Sequence, residues 1–379
     1  MLPLRPSPSR SPGWLRHGLA AVLLLITAPT AVACPLCYEE VARETPGQRL
    51  DTADRAVLAV PISGSAKFQV VQVVKKGKGA IGDVIEGPIT NLGASAALSR
   101  DPFLLLGNYP APGWSNLGNI RVEHADWLRQ LIATRMVKDD RPPPPTWSQS
   151  AQGSVRLTYT GWQQRIAVIL PYLENSDPLV AEIAWGELAR APYAAMDAAR
   201  SRLNPATVTR WLDDPRLAPR HAAYMLLLGF VGGPPDAVRL EQRIDDLRSS
   251  HVATNLGAII GADLELRGPI RVGWVEAMYF SDHTRYAPEI GAAVLALSVL
   301  GDANRTIPRE RVIQAFRTFI KGHPAMAGSV APQLADWKYW DAAGEYAALL
   351  KSDTILDPGS EFAIVSYLRR AAAAGATRP

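Results

Sequence analysis

Cysteine is almost missing: two of 379 residues, Cys34 and Cys37, carry every thiol in the chain. A multi-disulfide framework is excluded, and so is a four-ligand structural zinc site, because no second CxxC or Cys/His pair exists to complete one. A dominant charge sign is missing too. The chain has 40 Lys plus Arg against 36 Asp plus Glu, and Arg5, Arg10 and Arg16 lie in the first 33 residues, which hold no acid. Beyond residue 33 the balance is therefore 37 to 36. Such a chain has no electrostatic footprint for nucleic acid or for an anionic membrane surface. With 47% hydrophobic and 20% charged residues it has apolar mass for roughly two domains, which excludes a disordered or collagen-like protein.

Long apolar runs are also scarce. Leu19 to Ile26 is too short to cross a bilayer, which takes about 20 residues. Ala222 to Val231 and Ile290 to Leu300 have the length of buried helices. The first run follows three arginines and precedes Thr27, Pro29 and the small triplet Ala31-Val32-Ala33, the order of a secretory signal peptide over residues 1–33. No adjacent arginine pair stands before it, so export in the unfolded state is the simpler expectation. The expected address is the periplasm or cell envelope, with no membrane span in the mature chain.

Cleavage after Ala33 makes Cys34 the first mature residue, in Cys34-Pro35-Leu36-Cys37. Three fates stay open for this pair: acylation of Cys34 as a lipid anchor, a short-range disulfide in an oxidising compartment, or a redox-active dithiol. The place three before Cys34, where an acylation box usually carries Leu, is Ala31. Haem attachment would need His at position 38, and that residue is Tyr38.

Residues 34–120 read as a small β-barrel domain. Asp54 to Val60 and Lys67 to Val74 are strand-like, the second with apolar residues at Phe68, Val70 and Val74. Asp83-Val84-Ile85 and Pro102 to Gly107 follow, joined by Gly and Pro turns. A literal GxGxxG, Gly77 to Gly82, is expected to be a hairpin tip, since Asp83-Val84-Ile85-Glu86-Gly87-Pro88 continues as a strand. A dinucleotide site needs a helix starting at that turn. No cofactor is expected.

The N-terminal Cys motif, the strand from Asp54, Phe68-x-Val70 running into Lys75-Lys76-Gly77, and Gly82-Asp83 together resemble the netrin-like module, over residues 34–108. That module is the OB-type barrel also used by tissue inhibitors of metalloproteinases. In those inhibitors the N-terminal Cys amine and carbonyl chelate a protease zinc, a role the resemblance would give to Cys34. This chain departs from them in having CPLC and no further cysteines.

Residues 121–154 are expected to hold one helix, with apolar Trp127, Leu128, Leu131 and Ile132 at helical spacing, and then a stiff connector at Pro142 to Pro145. From 155 to 379 the chain reads as short amphipathic helices with repeated start signals: Asp177-Pro178, Asn204-Pro205, Ala218-Pro219, Pro234-Pro235-Asp236 and Ile307-Pro308. Helices this short cannot bury their own stripes and must stack with neighbours. The irregular period resembles bacterial exported proteins with HEAT-like repeats over about 200 residues, so the expected fold class is α+β, a small OB/netrin-like barrel followed by an all-α HEAT-like solenoid. An irregular helical bundle is the alternative.

There is no GxSxG, HExxH or P-loop. His124, His221, His251, His283 and His323 stand far apart in sequence and are expected as surface or capping residues. Glu182 and Glu187 do not share a helix face and read as solvated or repeat-to-repeat charges. Trp185, Trp211, Trp274, Trp337 and Trp340 are candidate partner-binding aromatics on the solenoid. The expectation is a non-catalytic envelope interaction or scaffold protein with a protein partner and no metal. The alternative is a thiol-disulfide or metal-handling protein acting through Cys34 and Cys37.

Overall fold

In the strand Arg55–Pro61 (β1), neighbouring side chains enter two different cores. Val57 and Ala59 point into one cluster with Phe68, Val70, Phe103, Leu105 and Trp114; Ala56 and Leu58 point into the larger core shared with the helices. A strand covered on both sides needs no polar face, which explains the apolar run at Phe103–Gly107 (β5) as well. The computed structural model describes residues 36, 44–76, 80–92, 101–108, 113–136, 157–352 and 354–375; residues 1–33, expected as a leader, and Cys34, Cys37 and Pro142 to Pro145 lie outside the described residues.

The protein is α+β: a curled six-stranded sheet near the N-terminus, followed by a mostly helical region. The remaining strands are Phe68–Lys75 (β2), Val84–Ile85 (β3), Ile89–Thr90 (β4) and Trp114–Asn119 (β6), in the order β3-β2-β1-β5-β6-β4. All pairs are antiparallel except β4 with β6. The two outer strands, β3 and β4, are separated in sequence only by Glu86, Gly87 and Pro88, so the sheet curls until one broken stretch of chain borders both edges. β3 follows directly on Gly82-Asp83, so no helix opens after the glycine-rich turn.

One sequence expectation shifts here, and one strand carried no expectation. Register irregularities between β1 and β2 switch the alternation, so Val74 faces the helical core while Phe68 and Val70 face the sheet's own core. β6 has a polar sequence, Trp-Ser-Asn-Leu-Gly-Asn, which carries no period-two apolar signal.

A short helix, Pro46–Thr52 (α1), precedes the sheet, and Ala125–Ala133 (α2) lies across β2. The helical region then runs through Tyr159–Ile169 (α3), Pro178–Ala189 (α4), Pro205–Asp213 (α5), His221–Val231 (α6), Pro234–Ser250 (α7) and Leu256–Arg267 (α8). Arg271–Val275 (α9) passes into a π-turn at Glu276–Phe280, and Ala287–Ala303 (α10), Arg309–Gly322 (α11), Ala331–Asp336 (α12), Ala343–Leu349 (α13) and Pro358–Ala373 (α14) follow among the described residues.

The start signals act through their chemistry. Asp177 Oδ1 accepts the amides of Leu179 and Val180, and Asn204 Oδ1 accepts that of Ala206. Asp236 reaches back to the Gly233 amide, and Pro308 is the N-cap of α11. Ala218-Pro219 is the exception: the operative cap is Asp214, whose Oδ1 accepts the Arg216 amide, and Pro219 lies inside a 3-10 turn that leads into α6. Pro171 likewise stops α3 at Ile169 and leaves a 3-10 turn at Leu170–Tyr172.

Candidate functional site: a buried charge ring and the cleft beside it

The seam between sheet and helices is built on α1. Thr45 Oγ1 accepts the Gln48 amide while Gln48 Oε1 accepts the Thr45 amide, a reciprocal cap that fixes this short helix. Its last turn presents Asp51 to α3 and α4. The backbones come close because Gly47 and Gly186 carry no side chain: a Cβ at Gly47 would lie 1.9 Å from Glu187 Oε1, and one at Gly186 would lie 3.2 Å from Thr45 Cβ.

Four buried ionised side chains meet there. Arg165 Nη1 donates to Asp51 Oδ2 at 2.6 Å and to Glu187 Oε2 at 2.7 Å; Arg190 Nη2 donates to the same two oxygens at 2.9 and 2.7 Å. Acids and bases thus alternate around a ring with no formal net charge. Arg165, fully buried, spends its remaining donors on Asp51 Oδ1 (2.9 Å), Leu131 O (3.0 Å) and Thr134 Oγ1 (2.9 Å). The Arg190 guanidinium lies 5.0 Å from the Trp162 ring, and at the rim Arg135 and Lys75 donate to the Asp51 carbonyl at 2.5 and 2.8 Å.

Burial pushes the Asp51 carboxyl up, but the hydrogen bonds from Arg165 and the charges of Arg165, Arg190 and Arg135 outweigh it and hold it below the ordinary carboxylate value. Burial pulls the Arg165 guanidinium down; the two carboxylates reverse this and raise it. A charge held this way favours fixing two segments together over exchanging protons, because the lone pairs a base would use are already engaged.

The N-terminal end of α4 is fastened to the sheet as well. Asp177 Oδ2 accepts the Arg121 amide at 2.9 Å, Arg121 Nη2 donates to Ser176 Oγ at 3.1 Å, and His124, buried against the Tyr172 ring, stands 3.9 Å from Asp177. A cleft of about 480 Å³ opens here, with Asp101, Asn119 and Arg121 on one wall and Ser176, Asp177 and Glu182 on the other. Gly118, at φ +145°, lets β6 approach Leu179 at its floor; a Cβ there would lie 3.2 Å from Leu179 Cδ2.

No family model, curated protein or solved structure matches the chain. Among the described residues, no group of three or more His, Cys, Asp or Glu is arranged to hold a metal ion, and no helix is long and apolar enough to cross a membrane.

The residues singled out in the sequence are placed as follows. Cys34 and Cys37 lie outside the described residues, but Leu36 between them is buried against α8: a Cβ at Gly257 would lie 3.0 Å from its Cδ2 and one at Gly261 would lie 3.4 Å from its Cδ1. The five tryptophans are all partly buried against the helical core. Trp211 lies 5.0 Å from Tyr224 and Trp340 5.4 Å from Tyr367; Trp185 and Trp274 take Arg220 and Arg271 over their faces. Trp337 Nε1 donates to Asp302 Oδ1 at 2.8 Å.

Glu182 is exposed in the cleft, as a solvated charge should be, whereas Glu187 is fully buried in the ring, paired with Arg165 of the neighbouring helix rather than solvated. Five residues put it on the opposite side of α4, toward α1. Asp51 carried no sequence expectation at all. The signal that could have found its helix is the Thr45-Pro46-Gly47-Gln48 capping box. His251 is a left-handed C-cap, as a capping residue, while His283 and His323 come together with ring centres 5.4 Å apart, which sequence spacing gave no means to foresee.

Proposed function

We propose that this is a non-catalytic interaction protein of the cell envelope, exported by its N-terminal leader, in which a HEAT-like solenoid presents an extended surface to a protein partner and an OB-type barrel supplies a second contact. One observation carries the reading: α6 packs on α8 and α8 on α10, while α5, α7 and α11 each pair with one of these. Next-but-one stacking of this kind is what repeated helical hairpins produce. The barrel reading is supported by β3 and β4, whose short separation brings both sheet edges to one stretch of chain. The charge ring makes sheet and helices one platform, and the cleft at Asn119 and Glu182 is walled by both.

The test is photo-crosslinking in living cells from Asn119 and Glu182 in the cleft, and from Val238 and Phe362, exposed on α7 and α14. The expected result is one recurring crosslinked protein from positions that form a continuous patch. No adduct from any of the four sinks the proposal. Mass spectrometry of the mature N-terminus tests export and states whether Cys34 is acylated, disulfide-bonded or free.

A second reading, thiol-disulfide or metal handling through Cys34 and Cys37, is supported by Leu36, the residue between them in sequence that is buried against α8. Under it, replacing both cysteines by Ser abolishes a reductase or metal-binding activity with the fold intact; an unchanged activity eliminates it.

A further inference from the structure

His283, on the turn between the π-turn and α10, and His323, the C-cap of α11, are forty residues apart in sequence and adjacent in space. Their ring centres are 5.4 Å apart and the rings are inclined at 55°. Two imidazoles on one tetrahedral ion obey simple arithmetic. With a metal–nitrogen distance of about 2.0–2.1 Å and a ring radius of roughly 1.1 Å, their centres lie about 5.2 Å apart.

One ring nitrogen of this pair is left without a partner. His323 Nε2 is buried and has no hydrogen-bond partner, an orphan of the kind that calls for an ion or a water. The Phe319 ring stacks on His323 at 5.4 Å and fixes its plane, and the carbonyls of Tyr279 and Phe280 stand near the imidazole. Those carbonyls belong to a π-turn, a device that recurs at functional sites. The charged neighbours are occupied elsewhere. Asp282 Oδ1 accepts from the Thr284 amide and hydroxyl at 2.9 and 2.6 Å, and Arg285 Nε donates to Met278 O and Asp282 Oδ2, both at 3.1 Å.

We propose that His283 and His323 form a two-imidazole site for a divalent transition-metal ion of the zinc type, with water completing the coordination, that clips the 281–286 turn to the end of α11. Imidazole suits zinc, copper and nickel, and the exposed His283 gives the ion a way in.

The experiment uses the mature chain carrying Cys34→Ser and Cys37→Ser, so that the thiols take no part, stripped with chelator and titrated with Zn2+ by calorimetry and by NMR of the histidine rings. The expected result is one Zn2+ per chain, with the His283 and His323 ring signals shifting together and affinity falling about tenfold or more in His283→Ala. His283 is exposed, so that variant keeps its fold even if His323→Ala does not. Absence of zinc binding, or binding that His283→Ala leaves unchanged, overturns the site.

Discussion

Asp51 and Arg165, 114 residues apart in the chain, meet as a two-pronged ion pair with Nη1 2.6 Å from Oδ2 and Nη2 2.9 Å from Oδ1, both side chains buried. The pair is half of a ring that Glu187 and Arg190 close, and it joins α1, ahead of the sheet, to α3 and α4. Burying four charges costs desolvation that only complete pairing offsets. Arg165→Met would leave Asp51 and Glu187 with one buried guanidinium between them. The expected loss is about 3–5 kcal/mol by urea unfolding, with sheet and helices parting in the same transition. A loss below about 1 kcal/mol, the level of a surface ion pair, refutes the ring as the joint.

Stability should respond to acid in two opposite steps. Burial, only partly offset by the Trp337 hydrogen bond, raises the Asp302 carboxyl to about 6, so above that pH the folded state holds a charge that the unfolded chain accommodates more easily. As pH falls from 7 toward 4, Asp302 takes up a proton preferentially in the folded state and stability rises. Below about 4 the depressed Asp51 dominates: its contribution is fully present above the unfolded carboxylate value and is lost as pH drops through its folded one. Asp302→Asn keeps an acceptor for Trp337 and Gln333, and should add up to about 3 kcal/mol at pH 7 while flattening the rise between pH 6 and 4. Thermal melts across that range that show no difference between wild type and variant would count against this account.

Leu36 seats on α8 where Gly257 and Gly261 leave room. Leu36→Asp places a charge where an apolar side chain is buried, and the expected outcome is release of the segment before residue 44 with the remaining core intact. Limited proteolysis reads it directly, as faster cleavage ahead of α1 in the variant. Equal cleavage rates would mean the seat contributes nothing to holding the tail.

Sequence and structure divide the explanation along a physical line. Local signals are legible because they act within a few residues. Asp177, Asn204 and the Gly233–Asp236 pair start their helices through bonds no more than three residues long. The apolar runs at Val57 to Ala59 and Phe103 to Leu106 declare strands buried on both faces. The composition alone, with two cysteines, excludes a multi-disulfide framework. Ala218-Pro219 misled because a better oxygen, Asp214, stood four residues earlier.

Tertiary structure alone decided what depends on distance through space. A glutamate five residues along a helix looks solvated until a glycine-bearing turn of α1 covers it, as Gly47 covers Glu187. Asp51 is an ordinary acid until two arginines from beyond the connector surround it, and His283 and His323 are unrelated until the π-turn brings α11 beneath the 281–286 turn. Pairing of charges and convergence of imidazoles are set by chain crossings tens of residues long, and no local periodicity encodes which crossings will form.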